Sequence, residues 1–451
     1  MKKMKHDVPT RLVKVLNLIL MMVAFGFVWY GYYAARAQVH YYRRGDWVVI
    51  LLFGILYYGF CRSYDAFHIS ISPISEIIYS QTLALIISDF IMYVVIWLLS
   101  LYMPNAVPLL ITFGVQLLIS VLWTFLAHQW YFHNFQPGRT AVIYDLREGM
   151  ESLVGEYGME KKFHIEKVLG VEECLEKLSV LDEMDTVFLS GIHSHERNII
   201  LKYCMYQDIQ VYVIPRIGDV IMGGAKKVHM FHLPMLRIDR YRPIPEYTIA
   251  KRAFDILFSG IAIVIASPFM LVTAIAIKSD GGPALYKQKR LTKDGKEFNV
   301  LKFRSMRVDA EKDGVARLST GDKDDRITPV GKVIRKIRFD ELPQLFNILR
   351  GDMSIVGPRP ERPEIARQYE EEMPEFRLRL QAKAGLTGCA QVYGKYNTTP
   401  YDKLLMDLTY IGTPSLWEDF KICLATVKIL FMPESTEGVA EGATTAMGGK
   451  K

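Results

Sequence analysis

The first third of this 451-residue chain carries apolar runs too long for the core of a water-soluble domain. Four of them fall at residues 12–33, 47–61, 81–103 and 107–130. A bilayer core takes about 20 apolar residues in helical form. Three of the runs reach that length, and the second approaches it if extended to Phe67. Residues 1–133 therefore read as four transmembrane helices, with the short turn at Pro104 to Ala106 making the last two a tight hairpin. The basic start, MKKMKHDVPTR, resembles a signal peptide. The first run is too long for one and others follow it, so it reads as an uncleaved anchor. Lys2, Lys3, Lys5, Arg11 and Lys14 favour a cytoplasmic N-terminus. Four crossings then return the chain to the cytoplasm, although Arg36, Arg43 and Arg44 fall on the far side. Asp89, inside the third run, is either functional or simply faces neighbouring helices.

From residue 138 to about 240 the texture changes. TAVIYDL, KFHIEKVLG, TVFLSGI and IQVYVIP read as buried strands, with helical stretches such as VEECLEKLSVL between them. That pattern predicts a small parallel, Rossmann-like sheet. A dinucleotide loop would follow the first strand as GxGxxG. The turn here is DLREGMES, so no nucleotide is expected and the domain reads as structural or regulatory. His193 and His195 have no third ligand nearby and read as part of a polar loop.

The formal net charge of +7 suits nucleic acid, anionic lipid or a phosphorylated substrate. Without a zinc finger, an RNA-binding aromatic motif or a long basic run, lipid and phosphate are favoured over nucleic acid. The five cysteines, Cys61, Cys174, Cys204, Cys389 and Cys423, are odd in number and far apart. That argues against a disulfide framework or a zinc site and fits a reducing compartment.

A fifth apolar run, residues 254–278, is interrupted near its middle by Ser267 and Pro268. Proline breaks the helical hydrogen-bond ladder. Lys251 and Arg252 precede the run and Lys278 ends it, which suits an element that dips into the membrane and returns. A kinked spanning helix is the alternative. After it, ALYKQKRLTKDGKEFNVLKFRSM reads as a β-hairpin turning at Lys293, Asp294 and Gly295. The charged span 308–325 reads as a mobile loop, and the segment after Pro433 as a disordered tail, residues 434–451. Residues 417–432 read as an amphipathic helix for the membrane surface or the domain face.

The densest chemistry lies in RKIRFDELPQLFNILRGDMSIVGPRP. Asp340 and Glu341 stand among Arg335, Lys336 and Arg338, before a short helix expected to carry Pro343 in its first turn and to stop at Gly351. Carboxylates for a hard cation beside arginine forks for phosphate suit a phosphate-and-metal site. First-turn acids paired with basic neighbours are the plainer alternative.

This run resembles the signature of the bacterial sugar transferases, the polyprenyl-phosphate glycosyl-1-phosphate transferases, in their long form. The similarity extends through LKFRSM, DDRITPVGK and KAGLTGCAQVYGKYN, over roughly residues 250–433. The resemblance implies an α+β catalytic domain with a re-entrant helix broken at Ser267 and Pro268. It implies transfer of a sugar-1-phosphate from a UDP-sugar to undecaprenyl or another polyprenyl phosphate, releasing UMP. Asp340 would be the nucleophile of a covalent aspartyl-phosphosugar intermediate, with Glu341 helping to place Mg²⁺ or orient Asp340. Lys302, Arg335 and Arg338 would bind substrate phosphates and Arg359, in PRP, the nucleotide end. Arg304 is a structural or bidentate partner, and Asp325, Arg326 and Thr328 would brace the site. The chain departs from the usual form at Ala384, Cys389 and Tyr393, so the sugar is not assigned. The expected setting is the bacterial inner membrane with the catalytic domain in the cytoplasm, feeding exopolysaccharide, capsule or O-antigen assembly, and a homodimer is allowed. A membrane nucleotide-sugar pyrophosphatase and a non-catalytic scaffold are the rival readings.

Overall fold

A computed structural model describes residues 4–36, 45–100, 102–147, 149–279, 281–308, 326–394 and 398–430. Most of the charged span (309–325, with Asp325) and the tail 434–451 lie outside the described residues. The chain divides into two compact units, Met1–Ile214 and Pro215–Lys451.

The first unit opens with four apolar helices: α1 (Met4–Val28, continued by tighter and wider turns to Arg36), α2 (Gly45–Ser63), α3 (Ile74–Leu99) and α4 (Val107–Asn134). Each is long and apolar enough to cross a membrane. Lipid tails are as apolar as leucine, so hydrophobicity alone does not drive such helices together; packing and interhelical hydrogen bonds do. Both are present. Phe25 stacks on Phe53 at 4.5 Å. One buried polar residue from every helix joins a single network. The Tyr57 hydroxyl donates to Asn17 Oδ1 at 2.9 Å, and Asn17 Nδ2 and Ser120 Oγ donate to Gln81 Oε1 at 3.5 and 2.7 Å.

The same unit continues into β1 (Gly138–Tyr144), α5 (Met150–Glu156), β2 (Phe163–Gly170), α6 (Val171–Glu176), β3 (Thr186–Ser190), α7 (Ser194–Tyr206) and β4 (Gln210–Val213). The strands form one parallel sheet in the order β2-β1-β3-β4. Alternate residues of β1 and β3 fill opposite cores, as in a sheet covered on both faces. Ala141, Ile143, Val187 and Leu189 pack with Ile200 and Cys204, while Val142 and Phe188 pack with Val154 and Phe163. His193 caps α7 and stands exposed, 3.8 Å from Asp145.

Residues 215–240, read from sequence as part of the sheet domain, group with the second unit. There α8 (Ile217–Gly223) packs into the main core, and β5 (Lys226–Met230) pairs with β6 (Leu233–Arg237). Then follow α9 (Pro245–Lys278), the hairpin β7 (Leu285–Leu291) and β8 (Glu297–Phe303), α10 (Pro329–Lys336), α11 (Gln344–Arg350) and β9 (Ser354–Val356). The chain closes with α12 (Pro363–Glu372), β10 (Gly385–Thr387), α13 (Cys389–Val392), α14 (Pro400–Gly412) and α15 (Leu416–Leu430). The hairpin turns at Asp294 and Gly295, both with positive φ, where the sequence predicts it. Helix α15 buries Ile422 and exposes Trp417, Phe420, Val427 and Leu430 on another face.

Helix α9 is 34 residues long and lies against this unit through both of its halves. Near its start, Lys251 pairs with Asp419 at 2.8 Å, and Arg252 donates to the carbonyls of Ile348 and Leu349, both at 2.7 Å, capping α11. Asp255 accepts from Ser354 Oγ and Ile355 N. Ala262 and Ile263 pack on Val300 and Ile348. In the second half Met270, Ala274 and Ile277 pack on Phe303, Ile334 and Phe339, and Arg304 donates to the Ile277 carbonyl. These positions recur at helical spacing and form one stripe. Phe258, Ile261, Val264, Ile265, Leu271 and Val272 are left exposed. Pro268 lies inside the helix and cannot donate to the Val264 carbonyl. The Ser267 hydroxyl donates to that same carbonyl at 2.8 Å.

Candidate active site

The acid pair does not occupy the first turn of α11. Asp340 and Glu341 stand on a separate 3-10 turn, Phe339–Glu341, and Pro343 is the N-cap of α11. The reason is chemical: Pro343 has no N–H for the Phe339 carbonyl, so the α-helical ladder starts only after it. Gly351 ends α11 in the left-handed conformation, as the sequence predicts. Arg338 enters the 3-10 turn with φ of 54°, an uncommon conformation for a residue with a side chain. Phe339 packs against α9, its ring 6.4 Å from that of Phe269. The acid pair is thereby one residue away from the apolar helix, next to its proline.

Three segments far apart in sequence converge on Glu341. Lys302, from β8, donates to Oε1 at 3.0 Å, and Arg359, from PRP, donates to the same oxygen at 3.1 Å. Arg359 therefore reaches the acid pair. Burial raises the Glu341 carboxyl, but Lys302 and Arg359 outweigh it and hold the group well below the usual carboxylate range. Burial pushes Lys302 down despite the pull of Glu341.

Asp340 has the opposite character. Burial, then the charge of Glu341, pushes its carboxyl up, against the pull of Lys302, Arg335 and Arg359. Among the described residues no hydrogen bond reaches its oxygens. Arg335, from α10, has its Nη1 buried without a hydrogen-bond partner among the described residues. Two neighbours are thus open toward each other's surroundings: a carboxylate and an unsatisfied guanidinium N–H. Such an arrangement accepts a phosphate. Arg338 lies partly buried at the head of the same turn.

The other residues singled out from sequence support the scaffold. Arg304 is buried beneath Gly282, where an added Cβ would lie 2.4 Å from its guanidinium. Thr328 caps α10 by accepting from Gly331 N at 2.9 Å, fixing the helix that carries Arg335. Arg326 contributes its carbonyl to Arg307 N.

Sequence reasoning missed Asn347. Its side chain accepts from Leu301 N and donates to the Asn299 carbonyl, both at 2.9 Å, clamping β8 beside Lys302. The signal was a polar residue on the apolar face of LPQLFNILR. It also missed Arg379 and Asp407, which are buried in the fold, and Arg290, which is half-buried. For a divalent cation, Asp340 and the second oxygen of Glu341 are carboxylate donors available among the described residues. Few protein ligands suit an ion that keeps its waters and meets phosphate oxygens, as Mg²⁺ does.

Residues 246–433 match the model of the family described as bacterial sugar transferase. The chain is 40% identical over 234 residues to a UDP-N-acetylgalactosamine-undecaprenyl-phosphate N-acetylgalactosaminephosphotransferase of Aeromonas hydrophila, covering 51% of this chain and 54% of that protein. It is 40% identical over 201 residues to a UDP-glucose:undecaprenyl-phosphate glucose-1-phosphate transferase of Caulobacter vibrioides, covering 43% of this chain and 74% of that one. An undecaprenyl-phosphate galactose phosphotransferase of Salmonella typhimurium is 38% identical over 236 residues, 49% of each. The match thus spans about half the length of the Aeromonas and Salmonella proteins.

Proposed function

The chain belongs to the bacterial sugar transferase family, and from that premise we propose that it moves a sugar-1-phosphate from a UDP-sugar to undecaprenyl phosphate. The observation that carries the reading is the contrast within the acid pair. Glu341 is pinned by Lys302 and Arg359, while Asp340 beside it is half-buried and accepts no hydrogen bond among the described residues. A carboxylate that is weakly solvated and unpaired is a competent nucleophile.

In the proposed reaction an Asp340 oxygen attacks the sugar-bearing phosphorus of the diphosphate. A bond from oxygen to that phosphorus forms, the bond to the UMP oxygen breaks, and UMP leaves with the electron pair. An oxygen of undecaprenyl phosphate then attacks the same phosphorus, the acyl-phosphate bond breaks, and Asp340 returns to its carboxylate. Arg335 and Arg338 receive the phosphate oxygens, Lys302 holds Glu341 and adds positive charge, and Arg359 meets the nucleotide end. Mg²⁺ held by Asp340 and Glu341 would spread the diphosphate charge. The contact between Phe339 and Phe269 supports a lipid acceptor, because it puts the acid beside a lipid-compatible helix.

We read α9 as entering the cytoplasmic leaflet of the inner membrane and returning. Both halves of the helix grip the same unit, and a crossing would carry one half away from it. The relatives act on different sugars, so the decisive assay uses detergent-solubilised full chain with a panel of UDP-sugars and undecaprenyl phosphate. UMP release with the labelled phosphosugar in the lipid fraction is expected. Sugar phosphate recovered in water instead would make the protein a pyrophosphatase, and no UMP with any sugar would end the reading.

A further inference from the structure

The backbone of Pro358, Arg359, Pro360 and Glu361 is held at every carbonyl. Gly385 N donates to Pro358 O at 2.9 Å and Leu291 N to Glu361 O at 3.0 Å. The middle two carbonyls are taken by arginine side chains: Arg379 donates to Arg359 O at 2.9 Å and Arg290 to Pro360 O at 3.0 Å. Prolines on both sides remove N–H donors and fix φ, so this stretch makes no ladder of its own. Its position depends on these outside donors.

Arg379 is 3% exposed and is itself locked. Its Nε donates to Asp407 Oδ2 at 2.9 Å and its Nη2 lies 2.7 Å from the same oxygen, while Nη1 stands 3.5 Å from Glu361. Asp407, on α14, is 1% exposed. Desolvating such a pair costs about as much as its attraction returns, and well-packed apolar residues in its place are often as stable. What apolar residues cannot supply is a fork that grips a carboxylate and a chosen carbonyl together. The carbonyl gripped belongs to the one PRP residue whose side chain reaches Glu341.

We propose that Arg379, oriented by Asp407, is a positioning residue for Arg359. It fixes the backbone from which that guanidinium can leave Glu341 and meet the diphosphate of the substrate without the segment moving. The inference rests on the proposed role of Arg359 but not on turnover.

The test is a double-mutant cycle read by UDP binding to the full chain in detergent with magnesium, using the UDP-dependent shift of the melting temperature. Arg379→Lys keeps the charge but cannot serve Asp407 and the Arg359 carbonyl together. It is expected to weaken UDP about tenfold, a change of about 1.4 kcal/mol. In an Arg359→Ala background the same substitution is expected to change UDP affinity less than about twofold. If Arg379→Lys does not yield folded protein, Asp407→Asn, which loosens the same fork, is read in the same cycle. A lower melting temperature with unchanged UDP affinity means a purely structural role and overturns the proposal. So do equal losses in both backgrounds, and so does wild-type protein that binds no UDP. Wild type that binds UDP yet releases no UMP in the transfer assay would remove the transferase reading while leaving this one standing.

Discussion

Asp340 and Glu341 are neighbours with opposite electrostatic histories, and the difference makes their substitutions separable. An acid whose folded-state pKa is raised is one whose charged form the native state disfavours. At pH 7 Asp340 is charged in the unfolded chain, and the native state carries the cost of burying that charge. Asp340→Asn is therefore expected to lower UMP release by at least about 10³-fold while raising the melting temperature. The gain should shrink as pH falls through the raised folded-state value and vanish below the ordinary aspartate value of about 3.9. Glu341→Gln has the reverse sign. Its folded-state pKa is depressed, so its stabilisation is present above the unfolded value of about 4.3 and is lost as pH falls toward the folded one. That variant should melt lower than wild type at pH 7, with the difference closing in acid. Thermal melts from pH 3 to 7 check both signs, and an Asn variant less stable than wild type at pH 7 would contradict the desolvation argument. The pH profile of kcat/KM follows from the same shift. The attacking form of Asp340 is the carboxylate, so the acidic limb is expected above the ordinary aspartate value. A limb that follows an unperturbed carboxyl would rule out Asp340 as the titrating group.

Single elements explain what could be read in advance and what could not. The four apolar helices, the parallel strands and the hairpin turn at Asp294 are local patterns, carried by runs of side chains and by residues tolerant of positive φ. The acid pair and its cationic neighbours were legible because several motifs recur in a recognisable order. The Glu341 pairing was not, because Lys302, Glu341 and Arg359 meet only through tertiary packing. Nor was Arg379, one of two arginines in PEFRLRLQ, whose burial depends on Asp407 from a distant helix. In α9 the proline was legible and its remedy was not. The carbonyl of Val264, deprived of a donor by Pro268, is served by Ser267. Ser267→Ala should leave that carbonyl bare in an apolar setting, at a cost of about 1–3 kcal/mol. Lower thermal stability in lipid nanodiscs is the expected result, with Ser267→Thr, which keeps the hydroxyl, close to wild type. Equal stability of the Ala and Thr variants would mean that the hydroxyl does nothing beside Pro268. Asp255→Ala tests the other end of the helix, since it orphans Ile355 N and Ser354 Oγ. It too is expected to cost about 1–3 kcal/mol.

At the scale of the whole chain the argument turns on parity. Four crossings by α1 to α4, as proposed, would return the chain to the side on which it began, and a fifth full crossing would send the hairpin, Lys302 and the acid pair to the opposite side. Nucleotide sugars are cytoplasmic substrates, so the proposed reaction requires α9 to leave its two ends on one face. Its packing stripe supports that proposal: Arg252 and Asp255 at one end and Ile277 at the other hold a single unit. The exposed apolar side of the helix, with Phe258, Ile261, Ile265 and Val272, is then what lies in the leaflet. A labelling experiment decides the geometry. With the five native cysteines replaced, Glu246→Cys and Lys287→Cys, both at exposed positions flanking α9, are made singly. In intact cells a membrane-impermeant maleimide should modify neither, and in inverted inner-membrane vesicles it should modify both. Modification of one position from each side would make α9 a fifth crossing, and would separate the hairpin from the cytoplasmic substrate that the site is proposed to use.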